Sequence, residues 1–128
     1  MRQSKYILTL LLLTLCIACA NIGSPDGGPY DETPPRVVGT SPKFGATKTK
    51  STKIVLEFDE NIKVIGANEK IIVSPPQVEQ PEIEAMGKKI TVKLLDSIMP
   101  NTTYTVDFAD AIQDNNEGNP MGDYAFTF

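Results

Sequence analysis

The sequence contains no histidine, no tryptophan and only two cysteines in 128 residues. Without imidazole there is no Ser-His-Asp or Cys-His nucleophile, no proton shuttle near neutral pH, and no zinc site of the His or mixed Cys/His kinds. Hydrolases built on those parts are excluded. Long apolar runs are also missing: the longest uncharged stretch of that character, Tyr6 to Ala18, is 13 residues, short of the roughly 20 that a spanning helix needs. Basic residues are absent from the last part of the chain, where Leu94 to Phe128 carries six acidic side chains and none of opposite sign.

What is present is ordinary globular composition, 41% apolar and 22% charged, in a length that fits one domain. The formal net charge is −4, which makes nucleic acid a poor partner. Arg36 to Lys93 holds ten basic and seven acidic residues, so the charge is uneven along the chain. Solvated surface is the simplest meaning of that imbalance, with an acidic end or face as its sharper form.

The first segment reads as an address. Arg2 and Lys5 precede the Leu-rich run Tyr6 to Leu15, which leads into Cys16-Ile17-Ala18-Cys19, the order of charged, apolar and small residues found in secretory signals. Ile17-Ala18-Cys19 resembles the lipobox of bacterial lipoproteins, with Cys16 standing where Leu is usual. That resemblance implies cleavage after residue 18, acylation of Cys19 and a soluble part held at the membrane by lipid, to which each buried methylene contributes about 0.8 kcal/mol. Loss of Arg2 and Lys5 would make the mature chain more acidic still. Both cysteines lie in this region, so processing would leave Cys19 alone with its sulfur occupied, and no disulfide, thiolate nucleophile or cysteine metal ligand downstream.

Residues 20–35 read ANIGSPDGGPYDETPP, with four prolines and three glycines, and are expected to form an extended, flexible stem. From Arg36 onward apolar residues alternate with polar ones, and turn residues interrupt the pattern every eight to twelve positions. This is an all-β signature. Expected strands are Arg36 to Thr40, Lys53 to Phe58, Lys70 to Ser74, Glu82 to Met86, Lys89 to Leu94, Thr103 to Phe108 and Asp123 to Phe128, with a weaker one at Asn61 to Ile65. Seven or eight short strands suit a two-sheet antiparallel β-sandwich.

Alternation places Ile54, Leu56 and Phe58 on one face, then Ile90, Val92 and Leu94, then Tyr104, Val106 and Phe108, then Tyr124, Phe126 and Phe128. Met86-Gly87-Lys88 reads as a tight hairpin. Ala109 to Gln113 is expected to form a single helical turn. Proline and polar turn residues from Leu95 to Thr103 lead into Tyr104, the setting of a tyrosine corner in which the phenol hydroxyl bonds back to the backbone.

Thr40-Ser-Pro-Lys-Phe-Gly-Ala-Thr47, Ile54-Val-Leu-Glu-Phe-Asp-Glu60, Met99-Pro-Asn-Thr-Thr-Tyr-Thr-Val106 and Ile112-Gln-Asp-Asn-Asn-Glu-Gly-Asn-Pro-Met121, ahead of Phe126-Thr-Phe128, resemble the bacterial Ig-like domain of the surface-layer (SbsA) type. The stem motifs Ser24 to Pro29 and Asp31 to Pro35 are similar to the junction in lipoproteins of Gram-negative bacteria. These resemblances imply an Ig-like sandwich used as a spacer or adhesive module of the cell envelope, with no enzymatic site to carry over. Members of that lipoprotein group are usually longer, so the chain is expected to be the N-terminal part of a larger protein.

Asp114 to Asp123 is rich in oxygen ligands but fails the EF-hand spacing. Gly118 comes one place early for the turn glycine, and Ala125 stands where the bidentate glutamate belongs. A turn with Gly118 and Asn119 in special backbone conformations explains the composition, and no metal or other cofactor is expected. Glu57, Asp59 and Glu60 cluster at a strand end, where alternation turns Glu57 and Asp59 to water and nothing is expected to raise a pKa. Asp96-Ser97-Ile98 resembles a bacterial O-glycosylation signal, which makes Ser97 a candidate acceptor in an exposed loop. Asn101-Thr102-Thr103 fits the N-glycan sequon by coincidence.

The reading is then a signal peptide at 1–18, a lipidated Cys19 and stem at 19–35, and an Ig-like β-sandwich at 36–128. Tyr104, Gly118 and Asn119 are its structural residues. The protein is expected to be a non-enzymatic envelope lipoprotein, anchored by lipid in the outer membrane with its side undetermined. Its expected contacts are the membrane, through lipid, and an envelope protein or glycan. The alternative is a carbohydrate- or peptide-binding module that uses loops at one end of the sandwich or strand addition at an edge.

Overall fold

In a computed structural model, residues 27–128 are described, together with Gln3 and Tyr6. Cys19, the remainder of the signal segment and the first part of the stem lie outside the described residues.

Nine strands and one helical turn follow in chain order. They are β1 Val37–Ser41, β2 Lys53–Phe58, β3 Ile62–Val64, α1 Ala67–Lys70, β4 Ile72–Ser74, β5 Glu82–Met86, β6 Lys89–Lys93, β7 Thr105–Ala109, β8 Ile112–Asp114 and β9 Tyr124–Thr127. All pairings are antiparallel. The first sheet has the order β1-β2-β6-β5 and the second β4-β7-β9. These orders are the A-B-E-D and C-F-G arrangements of the constant-type Ig sandwich.

The small sheet β3-β8 belongs to the second layer. Along β3 and β4 the paired partners descend in one direction, from Ile62↔Asp114 to Val64↔Ile112 and then from Ile72↔Asp107 to Ser74↔Thr105. One long ribbon is therefore interrupted midway. On one side the interruption is α1, whose Lys70 bridges Asp110 at 2.7 Å. On the other side it is Ala109 at φ 45, its N–H donating to Asp107 Oδ1 at 2.9 Å.

Two expectations change here. Ala109 to Gln113 is not a helical turn: Ala111 and Ile112 are fully buried, and the chain meets that demand by turning sharply at Ala109 and resuming as a strand against β3. The strand expected from Lys70 also starts later, because α1 takes Lys70, and Ile71, though extended, precedes the paired strand that begins at Ile72.

The inward faces of the two layers meet in one core. Ile54, Leu56 and Phe58 from β2 and Ile90 and Val92 from β6 pack with Val106 and Phe108 from β7 and Phe126 from β9. Each such side chain contributes about 1.5–3 kcal/mol on burial. Tyr124 differs from the expected pattern, being half-buried beside Phe108 with ring centroids 6.0 Å apart. Strands β5 and β6 join through Gly87 and Lys88, with Met86 facing Lys89 across the turn. Glycine at the first loop position, φ 58, supplies the backbone sign that two-residue hairpins need.

The stem ends earlier than the periodicity alone implies. Pro35 is buried, and the Asn119 side-chain amide donates to the Asp31 carbonyl at 2.7 Å, so the residues from Asp31 lie against the sandwich.

Candidate functional site

The sandwich has two poles, and they are built differently. At one pole, loop 42–52 joins β1 to β2 and loop 94–104 joins β6 to β7. The start of the first loop is pinned to β9 by Gly45 N–H donating to the Thr127 carbonyl at 2.7 Å and by Phe44 set edge-on to Phe126 at 5.9 Å.

The second loop is held by Tyr104. Its hydroxyl accepts from the Met99 N–H at 3.0 Å, and its ring stacks on Phe128 at 5.7 Å. Its backbone exchanges hydrogen bonds with Phe128 at 2.9 and 3.0 Å. Asp96 ties the same loop to the next one by accepting the Val78 N–H. Between the two pinned loops lies an open groove of about 750 Å³.

Ile98, Met99, Tyr104 and Phe128 supply apolar lining to the groove, and Lys48 and Lys50 stand on its wall. Thr47, Thr49, Thr52, Ser97, Thr102 and Thr103 bring hydroxyls, and no carboxylate side chain lines it. Ser97 is exposed here, and Asn101 of the sequon is on the same wall in a left-handed conformation, φ 54. Lys48 across from it is also left-handed, φ 59. Sequence periodicity could not have found this groove, because every residue lining it lies outside a strand.

The opposite pole gathers acid. Asp114, only 1% exposed, is the buried charged residue of the core. Its Oδ1 accepts from the N–H groups of Asn116, Glu117 and Gly118 at 2.8, 2.7 and 3.1 Å, and its Oδ2 from that of Asn119 at 2.6 Å. Burial alone would raise its pKa, but the N–H groups of Gly118, Asn119, Glu117 and Asn116 outweigh that and hold it below the usual value. The loop that looked like a cation cradle is thus wound around its own carboxylate. Gly118 takes the left-handed conformation there, φ 81; Asn119 does not, and is fixed by its backbone and side-chain hydrogen bonds instead.

Among the described residues no group of three or more acidic or cysteine side chains is arranged to hold a metal. Glu57 pairs with Lys89 across the strands at 2.7 Å. Asp59 accepts the Arg36 N–H at 2.8 Å, which fixes where β1 begins. Glu60 is partly buried. Its pKa is raised, first by burial and then by the negative charges of Asp114, Asp59, Asp31 and Glu117. Period-two alternation is blind to this because Asp31 and the loop that holds Asp114 and Glu117 are distant in sequence from Glu60.

A match to the family described as bacterial Ig-like domain covers residues 31–128. The chain belongs to that family, whose domains are typically extracellular or surface modules and generally non-catalytic. No curated protein matches the chain significantly. Among the described residues no helix is long and apolar enough to cross a membrane.

Proposed function

We propose that the chain is an envelope lipoprotein in which Cys19 carries lipid, the stem lifts the domain, and an Ig-like module of the surface-layer (SbsA) type serves as a spacer or adhesive element in a longer outer-membrane protein. The observation that carries this reading is polarity of connection. The chain reaches β1 beside Asp59 at the acidic pole and leaves β9 at the groove pole, so a segment before it and a segment after it are held a sandwich length apart. The stem supports the same role: the eleven residues from Ala20 to Tyr30, ahead of the attachment at Asp31, reach at most about 3.5 Å each. Ser97, exposed on the groove wall, is the proposed acceptor of a covalent glycan.

An epitope placed after Phe128 tests the spacer role, read by antibody access on intact and on permeabilised cells. Duplicating residues 36–128 is expected to raise access and deleting them to lower it on whichever side the protein faces. Equal access in all three forms contradicts spacing. Intact mass equal to the lipidated polypeptide alone removes Ser97 as an acceptor.

A further inference from the structure

The groove at the β9 pole is cationic in a chain whose net charge is −4. Lys48 and Lys50 stand on its wall, both exposed, and among the described residues neither makes an ion pair. The acidic residues Asp31, Asp59, Glu60, Asp114 and Glu117 act on one another at the far pole, so they do not neutralise it. Both walls hold a residue other than glycine in the left-handed conformation, Lys48 and Asn101. Such backbone is sparsely populated and concentrates at ligand clamps.

We propose that this groove binds an acidic polysaccharide, a chain of sugars bearing carboxylates. Lys48 and Lys50 would take the carboxylates, and the Thr hydroxyls with the Asn101 amide would take sugar hydroxyls, which need both donors and acceptors. The volume lies within the range of small-ligand sites.

Two competing occupants fit less well. A neutral sugar is best held on an aromatic platform, but the rings that line the groove, Tyr104 and Phe128, are 2% and 5% exposed, and the exposed Phe44 lies outside the lining. An extended acidic peptide gains affinity by pairing with a strand edge, and no lining residue belongs to a strand. This inference is independent of the lipid anchor, because the groove is built wholly from residues 46–52, 97–104 and Phe128.

The test is titration calorimetry of the full mature protein in detergent with oligogalacturonate, alongside neutral dextran, poly-glutamate and phosphatidylglycerol vesicles. The expected result is binding to oligogalacturonate that weakens several-fold between about 50 and about 300 mM salt, as exposed charge pairs are screened. Lys48→Asn with Lys50→Gln should lose about tenfold in affinity or more. Asparagine tolerates the left-handed backbone at position 48, and Lys50→Gln alone serves if the double variant melts early. Lys88→Gln at the other pole should bind as wild type does, and so should Cys19→Ala, which separates this result from the fate of the anchor.

No binding to oligogalacturonate, equal binding by the lysine variants, equal binding of poly-glutamate, or binding to vesicles alone would each overturn the proposal.

Discussion

At the scale of single residues, two side chains decide how the loops are held. Asp114 is a buried carboxylate surrounded by four backbone N–H groups, an arrangement that only an acceptor at both oxygens can satisfy. Asp114→Asn keeps the shape but turns an amide N–H₂ toward an N–H donor. It should lower the melting temperature and remove hydrogen-exchange protection from the amides of residues 116–119. Tyr104→Phe leaves the ring stacked on Phe128 but strips the acceptor from the Met99 N–H. A loss of about 1 kcal/mol in denaturant unfolding is expected, with loop 94–104 loosened and the core retained.

Titration follows from the same contacts, and its sign differs between the carboxyls. Asp31, bonded by Thr33, Asp110, bonded by Lys70, and Asp114 all lie below their ordinary pKa values. Their stabilising contribution is complete above the unfolded value of about 4 and is lost as pH falls through the folded values. Glu60 runs the other way, since its folded pKa is raised. Its contribution is complete below about pH 4.3 and is lost as pH rises through the folded value. Glu60→Gln should therefore melt higher than wild type at pH 7, with the difference vanishing below about pH 4. A lower melting temperature at pH 7 would contradict the placing of Glu60 among like charges.

At the scale of elements, period-two alternation made most strands legible because one face of each is buried. Ile90 and Val92 alternate with polar residues, as do Ile54, Leu56 and Phe58 except at the half-buried Val55, and both strands form where the pattern puts them. The ribbon of β3-β4 with β7-β8 was harder to read. Its halves are three to five residues long and are separated by α1 and the bend at Ala109; β3, β4 and, but for Ala109, β7 fall within expected strands, but the three residues of β8 hold too little alternation to mark one.

The groove was invisible for a different reason, since loops joining distant strands have no period to read. Two substitutions test the element-level account. Phe126→Ala removes a fully buried ring from β9 and should cost about 3–5 kcal/mol. Gly118→Ala makes only ordinary contacts, with Lys63 Nζ at 3.5 Å and Gln113 Oε1 at 3.9 Å, so its cost is that of forcing a side chain onto left-handed backbone, about 1–2 kcal/mol. Equal stability in calorimetry would mean that the Asp114 loop relaxes freely.

At the scale of the whole molecule, the sandwich has unlike ends. One pole gathers carboxylates beside the residues that lead into β1, and the other offers lysines and hydroxyls beside the end of β9. That polarity sits well with a domain placed between a membrane anchor and a region beyond it. The proposed anchor rests on the order Arg2 and Lys5, apolar run, Ile17-Ala18-Cys19, a pattern of composition rather than of periodicity.

The measurement that bears most directly on the account is a comparison of intact mass and membrane fractionation for wild type and Cys19→Ala, both expressed in a Gram-negative host. The account predicts that wild type partitions with membranes and carries added acyl mass while the variant does neither. Two soluble forms cleaved alike and free of acyl mass would contradict it.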